Sequence, residues 1–402
     1  MAQHDPLRAP ANQRSVRRHN LGVVLRHVAQ HGPRSRAAIA QETGLNKTTV
    51  SSLVGELIEF GLVRETEVEL RGTVGRPALP VELSGQTVAG LGLEVGVDFL
   101  AVRAADMRGG RRHSAHVATD NRGRPVDAVI GELAELTEAA LADAAAQGLV
   151  TAGAVIALPG LVDRRGRLLV APNLGWTDVD VAGALAARLA RAAFPLRVEN
   201  EANLGALAEM WDGAGREFSD FVYVSGELGV GAGIILGGEL FRGAHGFGGE
   251  LGHTTIEPGG ERCACGNRGC LETRVALGAL LDAAGLEPGA RVGALAERAR
   301  AGDPQVLAAL EDAGRWLGTG VACAANLLNP QGVVVGGYFA TLADWLVTGV
   351  QEKLDAHVLS SQWDAPRVVV SELGAEAAVR GAAAASLRRV FADPALVPEL
   401  LD

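Results

Sequence analysis

Three of the four cysteines fall within eight residues, Cys263-Ala-Cys265-Gly-Asn-Arg-Gly-Cys270, and His253 lies ten residues upstream. Three thiolates and one imidazole make a four-coordinate zinc set, the composition of a closed structural site. Gly266 and Gly269 let the chain turn tightly around an ion. The alternative is a disulfide, which needs an oxidising compartment. The polar, Arg-rich stretch from Met1 to Asn20 lacks the apolar core of a secretory signal, and Cys-X-Cys neighbours pair poorly with each other. Zinc is therefore the expected cofactor, in a structural role, because four protein ligands leave no position for a reactive water. Glu250 and Glu272 bracket the cluster. A metal clamp fixing two carboxylates and a histidine points to a site built for a polyol. Cys323 stands apart in an Ala-rich apolar stretch and reads as a small buried hydrophobe.

Such residues need a scaffold. The 402-residue chain is long enough for two or three domains, and 48% hydrophobic residues suffice for packed cores. No uncharged apolar run reaches the roughly 18 residues that span a bilayer, so a cytoplasmic protein without a membrane partner is expected. The net charge of −10 is unevenly spread: residues 1–80 carry 11 Lys and Arg against 7 Asp and Glu, a net +4 that leaves −14 on the remainder. A basic module on an acidic body suggests that the module faces nucleic acid.

From Asn20 onward Leu21, Val24, Leu25 and Val28 recur at helical spacing, and His31-Gly32-Pro33 is a stop signal. Ser35 reads as the N-cap of a second helix, Arg36 to Thr43, which Gly44 breaks. A third helix runs from Lys47 to Phe60 with Val50, Leu53, Val54, Leu57 and Ile58 as its apolar stripe. Two short helices joined by a tight turn, after a first helix, make a helix-turn-helix. Asn46, Lys47, Thr48, Thr49, Ser51 and Ser52 gather at the start of the third helix, and Glu56 and Glu59 at its end. That polarity suits a recognition helix whose amino-terminal part meets DNA. Leu62 to Glu65 and Ala78 to Leu83 read as the strands of a wing with Arg71 and Arg76 at its tip, where arginine suits the minor groove. Arg36 completes the candidate DNA contacts. The alternative is a three-helix bundle for protein contacts, its polar residues serving as caps.

Beyond Ser84-Gly-Gln86 the texture becomes an alternation of strands and helices. Strands are expected from Val88 to Val95 with a hairpin partner from Leu100 to Ala105, and again from Val150, Leu196, Phe221, Gly231 and Val333. Helices are expected from Val129 to Ala146 and from Glu201 to Trp211. Alternation of this kind implies an α/β body with ligands beyond the strand ends. Residues 1–84 form the DNA-binding domain of this reading and 85–402 the body. The body divides into lobes of about 85–199, joined by the C-terminal helix, and about 200–375. Two Gly-rich turns, 94–98 and 226–233, would suit a phosphate, but Asp98 and Glu227 would repel one unless a metal intervened. Glycines that only shape turns are the favoured reading there.

Over almost its whole length the chain resembles the ROK family (repressors, open reading frames, sugar kinases). It looks like the regulator branch, which joins a winged helix to a sugar-kinase-like body. The run Cys263-X-Cys265-Gly266-X-X-Gly269-Cys270-X-Glu272 is similar to the family's zinc signature, and Gly229 to Gly233 followed by Gly248-Gly-Glu250-Leu-Gly-His253 to its other signature. The resemblance implies an α/β fold: a winged helix-turn-helix, then a two-lobed, actin-like (ribonuclease-H-like) body. It places zinc on His253, Cys263, Cys265 and Cys270. It places a sugar's hydroxyls against Gly160, Asn173, Asn200, Glu201, Glu250, His253 and Glu272. Carboxylates and amides can accept from or donate to vicinal hydroxyls, and His253 can hold metal with one ring nitrogen and a hydroxyl with the other.

The departures from the family pattern bear on activity. Family kinases carry Asp-X-Gly-Gly-Thr near the first strand, where this chain has Glu94-Val-Gly-Val-Asp98, and Leu228 stands where they place a threonine. Their general base is the Asp of Asn-Asp-Ala-Asn; here the run is Asn200-Glu201-Ala-Asn203. The extra methylene adds about 1.5 Å of reach, and misplacement on that scale costs on the order of 100-fold in rate. The expectation is a sugar-responsive regulator, a repressor of carbohydrate-related genes, without efficient phosphoryl transfer. It would bind a palindromic double-stranded operator as a homodimer or dimer of dimers. The alternatives are an ATP-dependent sugar kinase with Glu201 as base and a zinc-stapled interaction protein that has lost sugar binding.

Overall fold

The computed structural model describes residues 12–66, 79–190 and 194–401. Helix α1 (Gln13–His31), strand β1 (Arg34–Ser35), helices α2 (Arg36–Thr43) and α3 (Lys47–Glu59), and strands β2 (Val63–Glu65) and β3 (Pro80–Leu83) make a winged helix-turn-helix. The three strands pair antiparallel in the order β1-β3-β2. The expected caps form: Ser35 Oγ accepts from Ala38 N at 3.1 Å, and Gly44 takes the left-handed conformation that ends α2. Two expectations fail here. Helix α1 starts seven residues before its apolar pattern, because Asn12 caps it (Ser15 N to Oδ1, 2.8 Å) and its leading turns are held by charge instead of burial. Ile58 leaves the core stripe and is 36% exposed, while Val50, Leu53, Val54 and Leu57 are buried. Arg71 and Arg76 lie outside the described residues.

The body holds two five-stranded sheets of one design. In the first, β4 (Val88–Val95), β5 (Phe99–Asp106) and β6 (Arg111–Ala118) form an antiparallel meander, and β7 (Val150–Leu158) and β11 (Leu196–Asn200) add in parallel on the other side of β4. Helix α4 (Val126–Ala146) covers this sheet. Strands β8 (Leu161–Val162), β9 (Leu168–Ala171) and β10 (Trp176–Val179) make a small antiparallel sheet, followed by α5 (Val181–Ala186). Edge strand β6 was invisible to the sequence pattern because Arg-Arg-His-Ser-Ala-His-Val-Ala buries little.

Helix α6 (Glu201–Asp212) leads to the second sheet. There β12 (Phe221–Gly226), β13 (Val230–Leu236) and β14 (Glu239–Leu240) form the meander, and β15 (Gly332–Gly337) and β16 (Arg367–Val370) the parallel pair. Short helices α7 (Glu272–Val275), α8 (Leu277–Ala283) and α9 (Val292–Arg300) precede the long α10 (Pro304–Leu328), and α11 (Tyr338–Thr341) precedes α12 (Ala343–His357). Each lobe has its own core, around Leu91, Leu93, Ile130 and Ile156 in the first and Val222, Val333, Leu317 and Phe339 in the second. Cys323, expected to be buried, is exposed on α10 because it falls on the helix's outward face.

Helix α13 (Ala377–Ala392) packs against both β4 and α6, and α14 (Val397–Leu401) closes the described chain. A third core joins the module to the body: Leu21, Val24, Leu25 and Val28 of α1 pack with Leu387, Val390 and Val397. Among the described residues no helix is long and apolar enough to cross a membrane.

Candidate functional site

Past β14 the chain makes a long excursion that folds back on itself through bridges at Thr255–Cys270 and Arg262–Arg268. A turn closed by Gly266 N on Cys263 O (3.0 Å) and Cys263 N on Asn267 O (2.9 Å) brings the cysteines together, with Gly266 at φ 95°. The ligand atoms of His253, Cys263, Cys265 and Cys270 lie within 4.8 Å of one another. Cys265 and Cys270 sulfurs are 3.7 Å apart, and His253 Nδ1 is 3.6 Å from Cys263 Sγ. Sulfurs on a tetrahedral zinc, at Zn–S near 2.3 Å, stand about 3.8 Å apart, so donor set and spacing both fit. These four residues could hold a metal ion.

Glu272, two residues past the last cysteine, joins this cluster to the turn between β12 and β13. Its Oε1 lies 3.7 Å from Cys263 Sγ and its Oε2 accepts from Val230 N at 3.2 Å. A side chain at Gly229 would collide with that oxygen, and the same point lies 3.8 Å from Asn173 Nδ2. Asn173 comes from the β9–β10 turn of the first lobe, so the two lobes meet at Gly229. Glu250 is exposed, yet protein packed around its carboxyl raises it by desolvation, against the pull of His253 and with a push from Glu272. Asn173, Glu250, His253 and Glu272 thus form one group.

Gly160, Asn200 and Glu201 form the adjoining group at the head of α6. Asn200 caps that helix (Asn203 N to Oδ1, 3.1 Å) and donates through Nδ2 to Gly160 O at 3.0 Å. Its amide therefore already has two protein partners. Glu201 is the first residue of α6, and burial pushes its carboxyl up to about 7.

No site role is expected for Glu94 from its pattern alone, yet it is 2% exposed with Oε2 unpartnered. Burial raises its carboxyl, and Glu227 and Glu201 raise it further. Burial, with Glu201 and Asp98, pushes Glu227 up to about 8. A lone Glu inside the apolar strand Leu-Gly-Leu-Glu-Val was the available signal. Also unforeseen is a bridge between the lobes: Arg242 Nε donates to Glu199 Oε2 at 2.9 Å, while Glu199 Oε1 accepts from Asn203 Nδ2 at 3.0 Å.

On the winged helix, Asn46, Lys47, Thr48, Ser51 and Ser52 are exposed at the head of α3 and Thr49 is half-buried. Asn46 Oδ1 accepts from Thr49 N (2.7 Å) and Thr48 Oγ1 (2.8 Å), so it serves as a cap as well as a surface group. Arg36 turns inward: it donates to Ser51 O and Oγ, both at 3.0 Å, and to Glu65 Oε1 at 3.1 Å.

Comparison with known proteins agrees with this architecture. The ROK family profile matches residues 90–389 and that of the MarR family residues 23–72. The xylose repressor of Bacillus subtilis is 29% identical over 378 residues, covering 92% of this chain and 95% of that protein. The DNA-binding transcriptional dual regulator NagC of Escherichia coli is 29% identical over 409 residues, covering 96% of each. Among solved structures, a ROK family transcriptional regulator described as a homolog of the E. coli MLC protein superposes with a TM-score of 0.79. It is 27% identical and covers 96% of this chain and 99% of that one. A ROK glucokinase from Streptomyces griseus, solved with glucose and AMPPNP, gives 0.64 at 28% identity over 73% of this chain and 98% of its own. The kinase match covers about three quarters of the chain, whereas the regulators cover more than nine tenths. The chain belongs to the ROK family.

Proposed function

We propose that this protein is a sugar-responsive transcriptional repressor that binds operator DNA as a homodimer through α3 and its wing. Lys47, Thr48, Thr49, Ser51 and Ser52 meet DNA, with Asn46 at the helix head, Arg36 behind it and Arg71 and Arg76 from the sequence between β2 and β3. A sugar lies against Gly160, Asn173, Asn200, Glu201, Glu250, His253 and Glu272. Zinc on His253, Cys263, Cys265 and Cys270 fixes the loop that carries Glu250 and Glu272, and supplies structure in place of chemistry. Residues 1–84 and 85–402 are the two functional units. The observation that carries the reading is a pairing: a helix with an exposed polar head is joined to a body where Asn173, Glu250, His253 and Glu272 gather and both hairpin turns bear acids.

Those acids argue against phosphoryl transfer. A nucleotide's phosphates would meet the Asp98 side chain in the turn after β4 and that of Glu227 in the turn after β12, and binding them there would require Glu227 to keep its proton. A sugar alters DNA affinity only if it binds two arrangements of the protein unequally, and closure of the cleft supplies such a pair. The relatives named for xylose and N-acetylglucosamine supply the first sugars to try.

The test is fluorescence anisotropy of the protein on DNA flanking its own gene, with excess random competitor, with and without D-xylose, N-acetyl-D-glucosamine and D-glucose. Competitor-resistant binding that shifts with one sugar is expected. Binding that none of them alters would sink the sensing half. A kinase reading keeps one specific support: a carboxyl at the head of α6 titrating near 7 suits a general base. Sugar-dependent ADP formation abolished by Glu201→Gln would establish it.

A further inference from the structure

Helix α13 touches both ends of the problem. Sixteen residues long, it spans about 24 Å. Its first turns lie under the cleft. A Cβ at Gly92 of β4, two residues before Glu94, would fall 2.1 Å from Val379 O, and Arg103 of β5 reaches Glu376, just ahead of the helix, at 3.2 Å. Its middle is pressed against α6, whose head carries Asn200 and Glu201. A side chain added at Gly381 would collide with Leu204 O. Contacts this close leave no slack, since packed interiors pass on displacement in place of absorbing it.

The far end holds the DNA-binding module. Leu387 and Val390 share a core with Leu21, Val24, Leu25 and Val28 of α1. Arg26 Nη1 donates to Phe391 O at 3.1 Å, Arg18 pairs with Asp393, and a Cβ at Gly22 would fall 2.5 Å from Ala392 O. From α1 the connection continues to the recognition helix, because Arg17 donates to Glu56 at 2.8 Å and to Ser52 at 3.1 Å.

We propose that α13 is the strut that carries the state of the cleft to the recognition helix, with Gly22, Arg18 and Asp393 as the positioning residues that join it to α1. The inference rests on the regulator reading above. A second route runs through the chain itself, where Thr87 Oγ1 donates to Gly61 O at 3.0 Å, and it bypasses α13.

Gly22→Ala separates the routes. Alanine favours helix over glycine, so α1 keeps its fold while its close fit to Ala392 is lost and the Thr87 contact stays. The double variant Arg18→Gln, Asp393→Asn cuts the same joint by a different chemistry. Sugar affinity is measured by calorimetry with D-xylose and N-acetyl-D-glucosamine, and DNA affinity by anisotropy with and without saturating sugar. Both variants should bind sugar within about twofold of wild type. The sugar-driven change in DNA affinity should fall from at least about fivefold to under about twofold. A responsive wild type with equally responsive variants overturns the strut alone. A wild type whose DNA affinity ignores every sugar overturns the regulator reading, and the strut with it.

Discussion

Replacing Glu201 by Gln at the head of α6 should change how stability depends on pH. The ordinary value for the carboxyl is 4.5, and burial pushes it up to about 7 in the folded protein. The folded chain therefore holds this proton more tightly than the unfolded chain. Below 4.5 both states are protonated and the site costs nothing. Between 4.5 and 7 the unfolded state ionises first and gains. Above 7 the full penalty stands, so stability falls as pH rises through this window. The gap of two and a half pH units, at about 1.36 kcal/mol each, amounts to about 3 kcal/mol at most. Glu201→Gln removes the penalty and also relieves Glu227, which Glu201 helps to raise, so both effects have one sign. Urea unfolding of sugar-free wild type and variant, followed by tryptophan fluorescence (Trp211 lies on α6 itself), measures the difference at pH 5 and pH 8. The variant should exceed wild type by no more than about 1 kcal/mol at pH 5 and by about 3 kcal/mol at pH 8. A gap equal at both pH values would refute the buried-carboxylate argument.

Cys265→Ser should lower zinc content, read by elemental analysis, and sugar affinity together. Loss of metal with unchanged sugar binding would break the link drawn through Glu272. Lys47→Gln should weaken DNA binding and make the salt dependence shallower by about 0.9 in log–log slope, as for one lost phosphate contact. Arg36→Gln, which loses a brace onto Ser51 and Glu65, should weaken binding with the slope unchanged. Gly229→Ala should force Glu272 off its bond to Val230 and reduce sugar affinity by about 10- to 100-fold, the weight of one charged hydrogen bond. Calorimetry showing wild-type affinity would contradict that placement.

Much of the molecule was legible wherever periodicity and punctuation agreed. Ser35, Gly44, Val50, Leu53 and Leu57 announced the helix-turn-helix, and the cysteine spacing announced the cluster of four residues that could hold a metal ion, because local geometry fixes both. What the sequence withheld depends on distant partners. The leading turns of α1 are held by Asn12, Glu56 and Asp393 instead of apolar spacing. Strand β6 pairs at an edge with little to bury. Glu94 and Glu199 take their meaning from groups more than a hundred residues away in Glu227 or over forty in Arg242. Cys323 was misread because an apolar neighbourhood in sequence does not say which face of α10 a residue takes.

The two sheets share one strand order, a meander followed by two parallel strands. That duplication makes the turn after β4 and the turn after β12 twins, set opposite each other by approximate symmetry. Whatever charge one twin carries therefore confronts its counterpart across the cleft. In this chain Glu94 near the end of β4 and Asp98 in the turn after it stand against Glu227, so repulsion between the halves grows as Glu227, pushed up to about 8, loses its proton. The cleft behaves as a spring whose stiffness is set by protons. A neutral sugar that holds the halves together works against that spring, so its grip should tighten as pH falls through about 8.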